Sequence, residues 1–450
     1  MTVNKILLLA LSLHILSGIS LAGVSTGPTV ESVIPDTFGG VLADDAAERI
    51  VGIKVEGNKR TEDWLILKEF GVKAGDYFHV RKVREGLQNL KNLGYFYRVS
   101  YGIRRNQQGI VIILVVEDRL TLYPTIHLGS GGGYDTVKLG AADRNFLGKG
   151  MNLEGEYEFA STQRSFNISH SQRYLWGTDN YVKVNFSNLV MKDRVYFDQG
   201  LLDRYKVRFT ARGGAILIGR RTSRKEFWGI KPVIYHHSYS RQKIDDDNDD
   251  FQDENLLPKL KNGRTVMLKT VFNWRGVDVD NYLYNGYYGS VELGISDKVT
   301  GSEFSFGQVE VVQKYFWGRG IHNLCGSLRL LGNSSRQLQH KFTIGGPDGV
   351  RGFLYRQFRG NRAGVLNLEY RFSIYDTKEI FMQSVLFNDL ARVWDYGGSN
   401  GLNEDAIVSV GIGFRFVIKR IYRGIGRLDL ARTIEPYEGW GIVLGLGQYF

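Results

Sequence analysis

The chain contains 450 residues, with 58 Lys plus Arg against 47 Asp plus Glu and a formal net charge of +11. The basic residues are spread without a dense stripe or a nucleic-acid-binding module, so nucleic acid is excluded as an expected partner. The single cysteine, Cys325, excludes an intrachain disulfide, a Cys-based zinc site and a CxxC redox pair. Aromatic residues reach 13%, with 55 Gly and only 7 Pro, which favours β-strands joined by tight turns.

Residues 1–22 are predicted to be a secretory signal peptide. Lys5 precedes a short apolar run, and Ser20 and Ala22 are small residues at a cleavage site. Residues 23–48 are small, polar and unpatterned, which is typical of a linker. No later segment holds about 18 uninterrupted apolar residues, so we expect an exported protein without helical membrane anchors.

Residues 49–118 are predicted to form a compact α/β domain with the order β-α-α-β-β. The stretch "RIVGIKVEGN" is typical of a strand, and "TEDWLILKEFG" of a helix with Thr61 as its N-cap and Gly71 as its end. The segments "YFYRVSYGIRR" and "GIVIILVVED" are predicted to be the last two strands. Apolar residues at three- and four-residue spacing predict a second helix that ends at Gly94: Val80, Val83, Leu87 and Leu90.

Residues 120–450 alternate between apolar and polar side chains. In "MNLEGEYEFA" and "NLEYRFSIYD" the period is two, which predicts β-strands. Several such segments run for about nine to eleven residues, the length of a tilted membrane strand, whereas globular strands average about five or six. Export and aromatic content favour a closed barrel over a soluble sandwich, because a bilayer tolerates no unpaired strand edge. The predicted fold is therefore mainly β, a transmembrane antiparallel barrel of roughly sixteen strands behind the α/β domain.

Several motifs, taken in chain order, resemble one protein family. The segments "VEGNKRT", "KAGDYF" and "LKNLGYFYRVSYGI" resemble a POTRA domain. "GGPDGVRGF" resembles the VRGF/Y motif of the outer-membrane protein assembly superfamily typified by BamA and TamA, which includes the bacterial surface antigens. "NLEYRF", "LFNDLARVWD", "VGIGFRF" and "GRLDLART" resemble the strands that follow this motif in the family. The chain is thus similar to a member with a single POTRA domain.

The resemblance implies that the VRGF loop, near residues 344–362, folds back into the barrel lumen. Carried over by motif, its functional residues are Arg351, Gly352 and Phe353. In the family this arginine contacts acidic residues on the inner wall. A desolvated guanidinium needs a carboxylate partner, which agrees with that role. The alternative interpretation is that Arg351 is one of several lumen arginines in ordinary ion pairs.

The implied carboxylate partners of Arg351 are Glu369 and Asp389. Alternation supports Glu369, which lies on the polar face of "NLEYRF" and should point into the lumen. Alternation does not decide whether Asp389 points into the lumen, because Ala391 and other apolar residues share its parity. Asp429 is a third, weaker candidate.

The first and last barrel strands are rich in glycine, which weakens strand packing and order. The first strand, near residues 122–133, and the last, "GWGIVLGLGQYF", are therefore predicted to form a seam that opens at lower cost than other strand pairs. A terminal strand that ends on an aromatic residue also resembles the signal by which bacterial outer-membrane barrels are recognised for assembly. The seam and terminal-strand residues singled out here are Gly129, Gly131, Trp440, Gly445 and Phe450.

The resemblance implies an assembly factor in the outer membrane of a Gram-negative-type bacterium. Its POTRA domain, in the periplasm, would receive unfolded outer-membrane or secreted client proteins, and its barrel would help them insert through the seam. Periplasmic accessory proteins and outer-membrane lipid are the further partners expected. A two-partner-type secretion pore is the alternative, although such members usually carry two POTRA domains. A passive barrel is disfavoured because it would not need a POTRA domain.

Nothing in the sequence favours an enzyme. No Ser-His-Asp or Cys-His set stands out, and neither a metal nor a cofactor is expected. The acidic run at 244–254 has the spacing of a calcium loop, but Asp250 stands where that loop needs glycine. "GSGGGY", at 129–134, lacks the lysine of a phosphate-binding loop and is predicted to be a hairpin or a strand end.

Overall fold

A computed structural model describes most of the chain after its N-terminal segment. The described residues are 48–197, 202–223, 225–242, 261–280, 283–347, 349–377, 379–395, 406–418 and 425–446. The predicted signal peptide, residues 23–47 of the predicted linker, the acidic run at 244–254 and Phe450 lie outside them. No helix within these ranges is long and apolar enough to cross a membrane.

The N-terminal part of the described chain is an α/β unit with a three-stranded sheet. The strand order is β1-β3-β2, in which β1 (Ile50–Glu56) lies parallel to β3 (Gly109–Asp118) and β2 (Phe96–Asn106) lies antiparallel to it. Two helices, Asp63–Phe70 and Val80–Leu93, share an apolar core with the sheet. The order along the chain is the predicted β-α-α-β-β.

Apolar periodicity accounts for the core of this unit. Every second residue of the central strand β3 is buried, because a strand turns alternate side chains toward one face. In the second helix, Val83 and Leu90 lie two turns apart on one face and are fully buried. Gly71 and Gly94 end the two helices in the left-handed conformation, as predicted.

The prediction that Thr61 caps the first helix is wrong. Glu62 is the N-cap residue, and its side chain makes no capping hydrogen bond. The Thr61 hydroxyl donates instead to Asp118 at the end of β3, and Asp118 also accepts the backbone N–H groups of Lys59 (2.6 Å) and Arg60 (2.7 Å). Hydrogen bonds to a carboxylate are stronger than neutral ones, so the turn after β1 is tied to the sheet rather than to the helix.

The rest of the described chain forms a closed barrel of sixteen antiparallel strands, which confirms the predicted fold class. Each barrel strand pairs with its neighbours in the chain, except that β14 pairs with β17 and β21 closes on β4; the short strands β15 and β16 form a separate hairpin. The strands are β4 (Leu122–Gly131), β5 (Tyr134–Phe146), β6 (Met151–Ala160), β7 (Gln163–Gln172), β8 (Asn180–Phe197), β9 (Leu202–Arg221), β10 (Glu226–Gln242), β11 (Gly263–Asp280), β12 (Leu283–Ser296), β13 (Phe306–Arg319), β14 (His322–Asn333), β15 (Phe342–Ile344), β16 (Phe358–Gly360), β17 (Arg362–Asp376), β18 (Ile380–Trp394), β19 (Ile407–Ile418), β20 (Ile425–Glu435) and β21 (Gly439–Leu446).

The α/β unit docks against turns at one end of the barrel. Arg60 reaches Asp143 with an Nη2–Oδ2 distance of 2.5 Å, and the Glu62 N–H donates to the Gly148 carbonyl at 3.0 Å in the β5–β6 turn. In the β7–β8 turn, Arg173 Nη1 donates to Glu69 Oε1 at 3.0 Å. We call this the near end of the barrel and the opposite end the far end. The unit is thus in contact with two separate turns of the barrel.

Gly148→Ala is expected to loosen this docking. Gly148 has a φ of 73°, and a Cβ at this position would overlap the Arg60 carbonyl oxygen. Limited trypsin digestion of the purified protein in lipid vesicles should therefore release the α/β unit faster than in the parent.

Gly177→Ala is the matched control. Gly177 has the same φ of 73° in the neighbouring turn, but a Cβ there would have no heavy atom within 4 Å. Equal rates of release from the two variants would contradict a docking role for the β5–β6 turn.

Candidate functional site: an arginine loop inside the barrel

The connection between β14 and β17, described over residues 334–347 and 349–361, folds into the barrel from its far end. We call it the inward loop. Its hairpin pairs Phe342 with Gly360 and Ile344 with Phe358. Beyond this hairpin, Arg351 is fully buried. A long arginine side chain is almost never fully buried unless it is paired, so its partners define the site.

Arg351 binds three carboxylates on three different wall strands. Its Nε and Nη2 donate to Asp389 Oδ2 and Oδ1, each at 2.8 Å, in a bidentate pair, and its backbone N–H donates to Oδ2 at 3.1 Å. Its Nη1 donates to Glu369 Oε1 at 2.7 Å and to Asp429 Oδ2 at 3.2 Å. The guanidinium also lies 3.5 Å from the ring centroid of Phe387, within cation–π range. Together these contacts fix both the position and the plane of the guanidinium.

Two further arginines extend this cluster along the wall. Arg371 Nε donates to Glu369 Oε2 at 2.7 Å. Arg415 Nη1 donates to Asp429 Oδ1 at 2.5 Å, and its Nη2 donates to Glu369 Oε1 at 3.0 Å. All of these side chains have zero solvent exposure. The charges are therefore compensated by each other rather than by solvent, and removing one leaves its partners buried and unpaired.

Neighbouring groups hold the backbone of the inward loop against the wall. Asn367 Nδ2 donates both to the Gly349 carbonyl at 3.0 Å and to Asp389 Oδ1 at 2.9 Å. On the other side, a Cβ on Gly441 would lie 2.6 Å from the Gly352 Cα, so no side chain fits between the loop and β21. A Cβ on Gly352 itself would lie 2.9 Å from Thr433 Cγ2, so this residue is restricted by packing as well as by its φ of 93°.

Phe353 anchors the apolar part of the inward loop. It is buried, and its ring lies 5.3 Å from that of Phe358 and 5.5 Å from that of Tyr437, both in edge-on geometry. The Tyr437 hydroxyl accepts a hydrogen bond from Gln357 Nε2. Burial raises the pKa of Tyr437.

The structure brings together Arg351 and all three carboxylates that the sequence singled out. Glu369 points into the lumen, on the face that alternation assigned to it. Asp389 also points inward although Ala391 and Val393 share its face, because these apolar residues pack against the inward loop. The parity of Asp389 was therefore ambiguous for a physical reason: the lumen wall is apolar where the loop covers it.

Arg371, Arg415 and Phe387 are members of the cluster that the sequence reasoning missed. In "NLEYRF" and "VGIGFRF" an arginine stands between aromatic residues at the lumen-facing parity, and that signal was available. The order in which β17, β18, β19 and β20 pair around the barrel makes their side chains neighbours.

Of the predicted seam residues, Gly129, Gly131 and Gly445 lie at the junction of β4 and β21. Gly129 is opposite Gly445, and Ser130 is opposite Leu444. These are the pairs between β21, which is described as far as Leu446, and β4. Trp440 is 67% exposed on the outer face of the barrel, apart from the arginine cluster.

Arg351→Ala is expected to lower the free energy of unfolding by about 3–5 kcal/mol, because three buried carboxylates lose a shared partner. Urea unfolding of the purified protein in lipid vesicles, followed by tryptophan fluorescence, measures this change. Arg351→Lys should lie between the parent and Arg351→Ala, since lysine keeps the charge but not the bidentate geometry.

Arg432→Ala provides the control for the loss of an arginine. Arg432 is paired with Glu438 at 2.7 Å, but their side chains are 49% and 71% exposed. Its removal should change the free energy of unfolding by at most about 0.5 kcal/mol. If the variants at 351 and 432 unfolded alike, the buried cluster would not stabilise the fold.

Sequence comparison identifies two family models in this chain. An Omp85 superfamily domain matches residues 145–438, and a POTRA model described as a surface antigen variable number repeat matches residues 48–118. A Treponema pallidum protein with the provisional name outer membrane protein assembly factor is 33% identical over 144 residues, which cover 30% of this chain and 17% of that protein. Outer membrane protein assembly factor BamA of Nitratidesulfovibrio vulgaris is 28% identical over 151 residues, or 32% of this chain and 18% of that protein. These alignments span less than a fifth of each relative.

Comparison of structures supports the same architecture. BamA from Haemophilus ducreyi, in a crystal structure lacking POTRA domains 1-3, has a TM-score of 0.61 at 15% identity, over 89% of this chain and 84% of that one. CdiB from Acinetobacter baumannii has a TM-score of 0.60 at 14% identity, over 89% of this chain and 74% of that one. At these identities the similarity concerns the fold. Because the Omp85 model matches more than half of the sequence, the chain belongs to the Omp85 superfamily, with a POTRA domain ahead of its barrel.

Proposed function

We propose that this protein is an outer-membrane protein assembly factor. Its POTRA domain receives unfolded clients in the periplasm, and its barrel assists their insertion through the seam between β4 and β21. The observation that carries the proposal is the pairing of two glycines, Gly129 and Gly445, where β21 closes on β4. Relatives named as assembly factors support the same function.

The seam has the chemistry that strand exchange requires. Opening a closed barrel exposes backbone donors and acceptors along both edges, so the cheapest place to open it is where side-chain packing across the ladder is weakest. Gly129 and Gly445 face each other there and contribute no side-chain packing across the ladder. An incoming client strand would satisfy the exposed groups of either edge by pairing with it.

The α/β unit offers edges for a client in extended conformation. The sheet order β1-β3-β2 leaves β1 and β2 at the two edges. Residues 75–78 already bond to the backbone at the start of β1, around Ile50, so β2 is the edge more open to an added strand. With the unit at the near end, we infer that this end faces the periplasm. Clients and accessory proteins would then approach from the near end, with lipid around the barrel.

Depletion of the protein from its host cell, followed by quantitative proteomics of the outer membrane, tests this function. We expect many β-barrel proteins to fall together. Retention of one secreted partner, with the barrels unchanged, would contradict assembly and indicate a secretion pore. If neither the β-barrel proteins nor a secreted protein changed, the result would indicate a passive barrel.

Complementation with variants links the phenotype to the site. At matched protein levels, Arg432→Ala should restore the depleted barrels, whereas Arg351→Ala should restore them only in part. Full restoration of the depleted barrels by Arg351→Ala would show that the proposed function does not need the buried arginine cluster.

A further inference from the structure

We propose that the inward loop holds the seam closed by joining the first hairpin of the barrel to its last strands, and that opening begins where the loop meets that hairpin. The inference rests on the proposed opening of the seam. It assigns a role to residues that the arginine cluster does not explain, chiefly Tyr355, Tyr134 and Gly132.

The inward loop contacts the β4–β5 hairpin on the N-terminal side of the seam. The Tyr355 N–H donates to the Gly132 carbonyl at 2.8 Å. The Tyr355 ring stacks on Tyr134, with 4.0 Å between ring centroids and 19° between ring planes. A Cβ on Gly132 would overlap the Phe353 carbonyl oxygen, so the turn approaches the loop backbone directly. The glycines of "GSGGGY" therefore lie where the hairpin meets the loop.

Tyr134 is fixed to the strands that follow the seam. It is 4% exposed, and its hydroxyl donates to Glu158 Oε1 at 2.5 Å. Glu158, on β6, also accepts hydrogen bonds from Thr136, Gln163 and Ser165. Because Tyr134 is hydrogen-bonded through Glu158 to side chains of β5 and β7, movement of its ring would move β5, β6 and β7 with it.

The same loop is held more firmly on the C-terminal side of the seam. Arg351 makes charge-assisted hydrogen bonds to β17, β18 and β20. A Cβ on Gly352 would lie 2.9 Å from the Thr433 Cγ2 of β20, and Gly441 of β21 packs on its Cα. The contacts described to β17, β18 and β20 are charged and buried, whereas those described to the hairpin are a backbone hydrogen bond and a ring stack. The hairpin contacts are therefore the ones that break first, and the loop stays with β17 to β21.

The hairpin is also adjacent to the last strand itself. A Cβ on Gly131 would lie 3.0 Å from Val443 Cγ2 and 3.3 Å from the Ile442 carbonyl oxygen. The seam, the hairpin turn and the inward loop thus meet within three successive residues, Gly131 to Gly133. Separation of β4 from β21 has to move this turn away from the loop.

Hydrogen–deuterium exchange of the purified full chain in lipid vesicles tests the proposal, because amide exchange in β4 and β21 reports the population of the open seam. Tyr355→Ala removes the stacked pair and should raise exchange in β4 and β21 on the order of fivefold, with β8 and β9 unchanged. Gly132→Ala should raise it at least as much, since its methyl group displaces the loop backbone.

Gly133→Ala is the matched control for strain in the turn. Gly133 has a φ of 72° against 57° for Gly132, but its nearest heavy atom to a Cβ would be Leu354 Cδ2 at 3.9 Å. Gly133→Ala should therefore show the same amide exchange in β4 and β21 as the parent. Parent-like exchange in Tyr355→Ala, or equal effects of the two glycine variants, would overturn the proposal.

A disulfide across the seam distinguishes opening from local loosening. Ser130 and Leu444 are opposite in the ladder, so S130C with L444C, in a Cys325→Ser background, can be oxidised to lock it. In Tyr355→Ala, forming this disulfide should return amide exchange in β4 and β21 to the rate of the parent. Exchange that stays raised would overturn the proposal. No client is present in this measurement. The proposal about the loop can therefore be contradicted while the proposed assembly function stands, and the assembly function can be contradicted while the proposal about the loop stands.

Discussion

Burial of one guanidinium constrains the C-terminal half of this protein. Arg351 leaves water completely, and a charge in that position is tolerated only if carboxylates replace the lost hydration. Three strands supply them: Glu369 on β17, Asp389 on β18 and Asp429 on β20. The carboxylates meet only when these strands pair in one register, so the loop and the wall specify each other. A register slip of one residue would turn each carboxylate outward.

The inward loop changes the character of the wall that it covers. Alternation in an outer-membrane barrel normally gives a polar lumen, but Ala391 and Val393 face inward because Val350 and Phe353 of the loop pack on them. The loop is therefore held by an apolar cluster as well as by charge. Its reach across the seam couples the arginine cluster to the strands whose separation the proposed function needs.

Period two and strand length predicted the barrel, because these depend only on the local chain and its solvent. The polar face of its strand predicts the direction of Glu369, whereas no local pattern predicts that of Asp389, because its face is covered by tertiary contacts. Arg371 and Arg415 were missed because the sequence gives the face of each strand but not its neighbours across the register. The Thr61 cap failed similarly: its acceptor, Asp118, is distant in sequence.

A double-mutant cycle between Arg351 and Asp389 tests most directly whether the inward loop is anchored by buried charge. The free energy of unfolding is measured for the parent, Arg351→Ala, Asp389→Ala and the double variant in one lipid. The bidentate pair predicts that the double variant loses less than the sum of the single variants, with a coupling energy of about 1–3 kcal/mol. Additivity within about 0.5 kcal/mol would contradict the anchoring role of Arg351.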